Sequence, residues 1–158
     1  MAASGGVSCL AGGRVSASPD AVYEAVADPE RFPELFEGFG PVPGIRAIEQ
    51  RADGGRHVLL RDGSTIDERF TVTEPGRRLV YEASGFAAPL GWWCGRAEGE
   101  WRFEPRGAGT EVTWQYRFRV AGLFRRLAVR LLVAPFFQLA MARAVQKLTV
   151  ACGGGRHY

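Results

Sequence analysis

The sequence predicts a single α+β domain in which a curved antiparallel sheet closes around a long C-terminal helix. Three patterns support this fold class. Apolar and polar residues alternate along residues 100–104 and 112–120, which indicates strands with one polar face. Turns rich in Gly, Asp and Pro divide residues 45–120 into a meander of strands. Residues 122–151 then show helical apolar periodicity, so this helix is expected to cover the apolar face of the sheet.

The N-terminal part predicts one strand followed by two short helices. The strand is expected at residues 7–17. Ser18, Pro19 and Asp20 mark a helix start, because a serine caps the first turn, a proline fits its first position and an aspartate suits the positive end of the helix dipole. A second helical piece follows, and the residues rich in Gly and Pro at 38–44 predict a loop.

The C-terminal helix divides unevenly into two sides. Its inward side, at about 100° per residue, is expected to carry Leu123, Leu127, Leu131, Ala134, Met141, Val145, Leu148 and Cys152. Its outward side carries basic residues but also apolar ones, among them Val129, which a helix in contact with water should not expose. We interpret Val133, Phe136 and Phe137 on that side as a dimer contact, a membrane-surface contact or a portal for ligand entry. The alternative is that the N-terminal segment covers them.

Composition limits the class of protein. The 158 residues suffice for one domain, expected at residues 7–151, with disordered tails at 1–6 and 153–158. The net charge of +3 is spread among acids, which excludes a basic stripe for nucleic acid. Three cysteines without a CxxC pair predict no metal site and no cofactor, and their odd number favours a reducing, cytoplasmic location. We find no signal peptide and no span of about 20 apolar residues.

Six motifs carry a resemblance to a known family. They are VSASPDAVY at 15–23, ADPERFPEL at 27–35, DERF at 67–70, EPGRRLVY at 74–81, GEWRFEP at 99–105 and GTEVTW at 109–114. Together with the order of elements, they resemble the START-like or SRPBCC superfamily, in particular its polyketide cyclase/dehydrase and lipid-transport branch. The resemblance implies a helix-grip fold with a ligand cavity between the concave sheet and the long helix.

Polar groups on the inward apolar faces are the candidate catalytic residues: Glu68, Arg69 and Tyr81. Glu68 interrupts the apolar face that runs from Ile66 to Val72, so it is a candidate general base or a ligand for a hydroxyl. The alternatives are an ion pair with an arginine on a neighbouring strand, or a shift of one residue that turns Arg69 inward.

Aromatic and polar residues of the same faces are the candidate ligand contacts. They are Phe70, Tyr81, Trp101, Phe103, Trp114, Tyr116, Gln138 and Met141. Gln138 either binds a ligand or satisfies backbone groups freed by Pro135. Trp92 and Trp93 are expected at the cavity mouth, as a lid or as anchors of their loop. His57 is expected on the exposed side of a strand, without a catalytic partner.

These features favour a protein that binds a small hydrophobic molecule, such as a lipid, an isoprenoid or a polyketide-like compound, as a carrier or sensor. One alternative is a polyketide cyclase or aromatase that guides a poly-β-ketone chain, with polar cavity groups that move protons. The other is an accessory protein, similar to those that accompany carbon-monoxide dehydrogenases, that recruits a partner or a membrane through its outer helix face.

Overall fold

The computed structural model describes residues 6–153, which form one long antiparallel sheet, a small hairpin and five helices. The strands are β1 (Gly6–Val15), β2 (Gly38–Phe39), β3 (Val42–Pro43), β4 (Ile45–Gln50), β5 (Gly55–Leu60), β6 (Thr65–Glu74), β7 (Arg78–Ser84), β8 (Arg96–Arg106) and β9 (Gly109–Arg119). The helices are α1 (Pro19–Ala27), α2 (Phe32–Leu35), α3 (Leu90–Trp93), α4 (Leu123–Leu132) and α5 (Ala134–Cys152). The predicted α+β class is therefore confirmed.

The main sheet has seven strands in the order β1-β9-β8-β7-β6-β5-β4, and all neighbours are antiparallel. The alternation predicted for residues 112–120 is confirmed in β9, where Val112, Trp114, Tyr116 and Phe118 are all buried. These side chains share the concave face, which α5 covers together with α1 and α2.

The first short helix begins as predicted, and the second begins at Phe32. Ser18 caps α1, where its Oγ accepts a hydrogen bond from the backbone N–H of Ala21 at 3.2 Å. The loop expected at residues 38–44 instead contains the hairpin of β2 and β3. Gly38 and Gly40 make the reversal with positive φ angles of 80° and 57°, a conformation that other residues rarely adopt.

The C-terminal segment is two helices rather than one, with a bend of 46° between α4 and α5 at Val133. Pro135, in the first turn of α5, has no backbone N–H to continue the helix from α4. The break changes the helical phase, so the inward side predicted for the first half is wrong. Leu127 and Leu131 are exposed, whereas Val129, expected outside, is fully buried. In α5 the prediction holds, because Met141, Val145 and Leu148 are buried.

No single helix within residues 6–153 is long and apolar enough to cross a membrane. Only the bent pair of α4 and α5, taken together, reaches the required length and composition. The predicted tails lie almost wholly outside the described residues, since residues 1–5 and 154–158 are not part of them. Gly6 begins β1, and Gly153 follows the last turn of α5.

The strand β6 carries an irregularity that separates its two halves. The pairing with β7 shifts between Phe70 and Val72, where Phe70 opposes Tyr81 but Val72 opposes Val80. A bulge of this kind places an extra residue in one strand and reverses which side chains face the core beyond it. Val72 therefore leaves the inward face on which the sequence placed it.

Candidate functional site

A cavity of about 260 Å³ lies between the concave face of the sheet and the junction of α4 with α5. It is lined by Phe32, Phe36, Val58, Leu60, Ile66, Glu68, Tyr81, Phe86, Leu90, Trp93, Trp114, Tyr116, Phe118, Leu132, Val133 and Phe137, with Pro41–Pro43, Asp62, Ser64 and residues 87–89 at its rim. Most of these side chains are apolar, as in sites that bind small molecules.

An aromatic cluster forms the wall of this cavity beneath α5. The ring of Phe137 lies 4.6 Å from that of Tyr116 and 5.3 Å from that of Phe118, measured between centroids. Phe36, just after α2, contacts both Phe137 and Trp114 at about the same spacing, 5.9 Å and 6.0 Å. The wall therefore joins aromatic side chains from three distant parts of the chain, and tilted and edge-on ring contacts fix it.

Tyr81 brings a hydroxyl to the inner end of the cavity. Its Oη accepts a hydrogen bond from Nε1 of Trp114 at 3.2 Å, and burial strongly raises the pKa of the phenol. The ring lies directly over Gly99 of β8, its cross-strand partner. A Cβ atom at Gly99 would fall 2.2 Å from the Cζ atom of Tyr81, so only glycine leaves room for the ring in this position.

Glu68 is the inward residue of the Glu68–Arg69 pair, and Arg69 is exposed. Its partner is Arg56, directly opposite on β5, whose Nη2 donates to Oε1 of Glu68 at 2.8 Å. The ion pair expected as one alternative is thus present. Burial raises the pKa of Glu68, and the charge of Arg56 offsets only part of that rise. Within residues 6–153, Oε2 of Glu68 accepts no hydrogen bond, and the side chain lines the cavity.

Arg56 is buried, with 6% of its surface exposed. Its guanidinium lies over the ring of Phe70 at 4.7 Å, a favourable contact between a cation and an aromatic face. Nε and Nη1 have no hydrogen-bond partner among residues 6–153. Arg56 borders a second space of about 10 Å³, also lined by Glu68 and Tyr81, which is roughly the room one water needs.

Four of the predicted ligand-contact and mouth residues lie on the cavity: Tyr81, Trp114, Tyr116 and Trp93. Trp92 does not, because its side chain points outward and is 69% exposed.

Four others of the predicted set belong to the core. Trp101 stacks on Trp114 at 4.4 Å, and Phe103 packs edge-on against Tyr23 of α1. The guanidinium of Arg56 covers the ring face of Phe70, and the side chain of Met141 in α5 is fully buried. Trp101 and Phe103 do share the inward face, but α1 and α2 cover that end of it.

Gln138 serves neither of the roles expected for it. Its Oε1 accepts a hydrogen bond from the backbone N–H of Leu10 at 2.9 Å, and its Nε2 donates to the backbone carbonyl of the same residue. The side chain therefore satisfies the outer edge of β1 rather than a ligand or the backbone near Pro135.

Val133, Phe136 and Phe137, interpreted from the sequence as a dimer contact, a membrane-surface contact or a portal for ligand entry, lie at and just after the bend between α4 and α5. Val133 and Phe137 line the cavity, because the bend turns this part of the chain inward. Phe136 packs against Gly40 in the β2–β3 hairpin. Phe137 was expected on the outward side of the helix, with a ligand portal as one alternative, because a straight helix leaves out the bend. Phe118 was already on the predicted inward face of β9.

His57 lies on β5 and, as expected, does not contact the cavity. Its Nδ1 is 2.7 Å from a carboxylate oxygen of Asp67, its neighbour on β6, and both side chains lie on the face of the sheet away from the cavity. Within residues 6–153, no group of three or more His, Cys, Asp or Glu side chains is arranged to hold a metal ion.

Comparison with known proteins identifies the class. The sequence matches the family model described as "Polyketide cyclase / dehydrase and lipid transport" over residues 14–152, which is most of the chain. The protein belongs to this family of the SRPBCC superfamily. Its fold and family are those of a hydrophobic-ligand-binding or polyketide-cyclase-like protein. No curated protein matches the sequence at a significant level.

Solved structures share the fold at low sequence identity. The protein XoxI from Bacillus cereus is 19% identical, with a TM-score of 0.66, and the match covers 97% of this chain and 99% of that one. A norcoclaurine synthase point mutant from Thalictrum flavum, in complex with a transition-state analogue, is 16% identical with a TM-score of 0.68. That match covers 96% of this chain and 98% of the synthase.

Proposed function

We propose that the protein binds one small, largely apolar molecule in the cavity and acts as its carrier or sensor. The observation that carries this proposal is the cavity of about 260 Å³, whose wall is largely apolar, with Glu68 and Tyr81 at its polar inner end and Asp62 and Ser64 at its rim. Binding there removes apolar ligand surface from water, which is the main driving force for such association. The three cysteines, all free, fit the cytoplasm as the place of action.

The size of the cavity supports a narrow range of ligands. An apolar cavity of about 150 Å³ holds a benzene ring, so about 260 Å³ suits one or two rings or a short isoprenoid chain. The aromatic wall around Phe137 favours flat or unsaturated molecules. A sterol or a complete long acyl chain would need the walls to move.

The polar end supports a hydroxyl or carbonyl group on the ligand. Oε2 of Glu68 can accept a hydrogen bond from a ligand hydroxyl. The Tyr81 hydroxyl, which accepts from Trp114, keeps its own proton to donate to a ligand oxygen. A ligand without such a group would leave these buried groups unpaired, at a cost in affinity.

Native mass spectrometry of gently purified protein, followed by solvent extraction, tests this proposal directly. A discrete apolar adduct is expected, and a fluorescent apolar probe should bind saturably after the adduct is removed. Val58→Trp fills the cavity from β5 and should abolish both signals. Leu59→Trp, the next residue on the opposite side of the same strand, is the matched control and should bind normally. Equal binding by the two folded variants would refute the site.

A second candidate function, cyclisation of a poly-β-ketone chain, is favoured by the raised pKa of Glu68 at the cavity surface. A carboxylate with a raised pKa is a better general base near neutral pH, and the Tyr81 hydroxyl in the same cavity can donate a hydrogen bond to a developing oxyanion. The norcoclaurine synthase, an enzyme solved with a transition-state analogue, supports the idea that this fold can serve catalysis. Glu68→Gln and Tyr81→Phe should each change the products formed from a poly-β-ketone substrate. Unchanged products from both folded variants would eliminate this candidate.

A further inference from the structure

The helix α4 presents its apolar side to solvent. Val129, which faces the body of the protein, is fully buried. At about 100° per residue, Leu127 and Leu131 lie about 160° away from Val129, on the opposite side. Phe124 is 89% exposed and Leu131 is 65% exposed. A helix at a water-facing surface normally places polar residues there, so this orientation needs an apolar or interfacial partner.

The apolar side of α4 is bordered by arginines. Arg125 lies on one side of it and Arg130 on the other, and both are exposed. An apolar stripe flanked by basic residues is the arrangement of helices that lie in the interface of a membrane, with the stripe in the acyl boundary and the arginines at the headgroups.

Acidic and basic residues are distributed unevenly along the sequence, and the C-terminal part that contains α4 is basic. All 17 acidic residues precede residue 112, whereas residues 112–158 contain eight basic residues. The elements that pack most closely on α4 are α3, α5 and β1, and none of the three contains an acidic residue. The charged residues of α4 and of these three elements are therefore all basic, although the whole chain carries a net charge of only +3.

The helix α3 extends this surface. Trp92 is 69% exposed beside α4, and an exposed indole is typical of residues at the level of lipid headgroups. Its neighbour Trp93 packs edge-on against it and lines the cavity from within. At the end of α4, Leu132 is 56% exposed and also lines the cavity, so the cavity reaches the surface beside the apolar stripe.

We propose that α4 and Trp92 dock the protein on the surface of a bilayer that contains anionic lipids. The apolar stripe enters the acyl boundary, and the flanking arginines contact the headgroups. A second copy of the chain fits less well, because a two-fold contact through this stripe would bring the arginines of the two copies together without any acidic residue on α4 to compensate. Docking in this orientation places the opening at Leu132 against the lipid.

Vesicle binding by the full chain tests the proposal. The protein should co-sediment with vesicles of phosphatidylcholine containing one third phosphatidylglycerol, and its affinity for pure phosphatidylcholine should be weaker by about tenfold or more, since each arginine near an anionic surface contributes about fivefold. The fluorescence of Trp92 should shift to the blue on binding and be quenched by brominated acyl chains. Binding should weaken between about 0.1 M and about 0.5 M salt.

Two matched pairs of variants locate the surface. Phe124→Ser with Leu131→Ser should reduce partitioning at least about tenfold, whereas Leu10→Ser with Val150→Ser removes exposed apolar side chains elsewhere and should bind normally. All four positions are exposed, so the fold should be retained.

For charge, Arg125→Glu with Arg130→Glu should abolish the preference for anionic vesicles. Arg46→Glu with Arg77→Glu, at exposed positions remote from α4, should retain it. Three results would overturn the proposal. The first is an equal affinity for anionic and neutral vesicles. The second is vesicle binding that the serine substitutions in α4 do not weaken. The third is a protein that does not bind vesicles but forms a dimer, which the same substitutions dissociate.

Discussion

Replacing Gly99 by alanine should destabilise the protein through a single clash with Tyr81. A Cβ atom at position 99 would lie 2.2 Å from Cζ, 2.4 Å from Oη and 2.6 Å from Cε1 of that ring. Carbon atoms in contact prefer separations of about 3.5–4.0 Å, so the ring must move by about 1 Å or more. The movement also breaks the hydrogen bond from Nε1 of Trp114 to the Tyr81 hydroxyl.

The expected cost follows from these two effects. Overpacking of a well-filled interior costs about 1–3 kcal/mol, and a buried indole N–H left without a partner costs a further 1–3 kcal/mol or so. We therefore expect Gly99→Ala to lower the free energy of unfolding by about 2–6 kcal/mol. At an m-value of about 2 kcal/mol per molar urea, the unfolding midpoint should fall by about 1–3 M.

Urea unfolding followed by tryptophan fluorescence measures this change. Gly95→Ala is the matched control, because a Cβ atom there meets nothing within 4 Å, and it should shift the midpoint little. In a Tyr81→Leu background the atoms that clash are gone, so Gly99→Ala should cost less than about 1 kcal/mol. An equal cost in both backgrounds, or a Gly99→Ala variant as stable as Gly95→Ala, would refute the reasoning.

Two further predictions concern ionisable groups. Burial alone would raise the pKa of Glu100, but hydrogen bonds and charge from Arg78 and Arg102 lower it overall. The stability that Glu100 contributes should therefore be present above its ordinary pKa of about 4.5 and be lost as the pH falls through its lowered pKa. Comparison of wild type with Glu100→Gln by urea unfolding from pH 3 to 7 checks this, and a constant difference would contradict it. Burial raises the pKa of the Cys9 thiol to about 11. At pH 8 a thiol reagent should therefore label Cys152 well before Cys9 in the native protein. Equal labelling rates would contradict the buried position of Cys9.

Patterns local to one element predicted much of the fold. The cap at Ser18 depends on a few adjacent residues, and the inward face of β9 depends on a period of two along one strand. Such features can be predicted because the interactions that cause them involve only residues close together in the sequence, which are the residues that the pattern contains. The apolar neighbours Ile66 and Phe70 made Glu68 a candidate for the inward face, but a shift of one residue that turns Arg69 inward stayed open until the pairing of β6 was known.

Features that depend on distant parts of the chain could not be predicted. The choice of Arg56 as partner of Glu68 follows from the register of β5 on β6, which the intervening turn sets. The location of Phe137 inside the cavity follows from the bend at Val133. Period-two alternation places Trp101 on the correct face, but only the packing of α1 and α2 decides that this end of the face is filled.

The contact of Gln138 with Leu10 has a consequence for the behaviour of the sheet at high concentration. The sheet is open, so β1 and β4 each offer unpaired backbone groups to the strands of other molecules, the usual route to edge-to-edge aggregation. The amide of Gln138 occupies both backbone groups of Leu10 and blocks such pairing in the middle of β1. On the opposite edge, an irregularity in the pairing of β4 at the exposed, charged Arg46 disrupts the template there. Both edge strands of the sheet are thereby protected from pairing with another molecule, β1 by the side chain of Gln138 and β4 by its irregular pairing and the charge of Arg46.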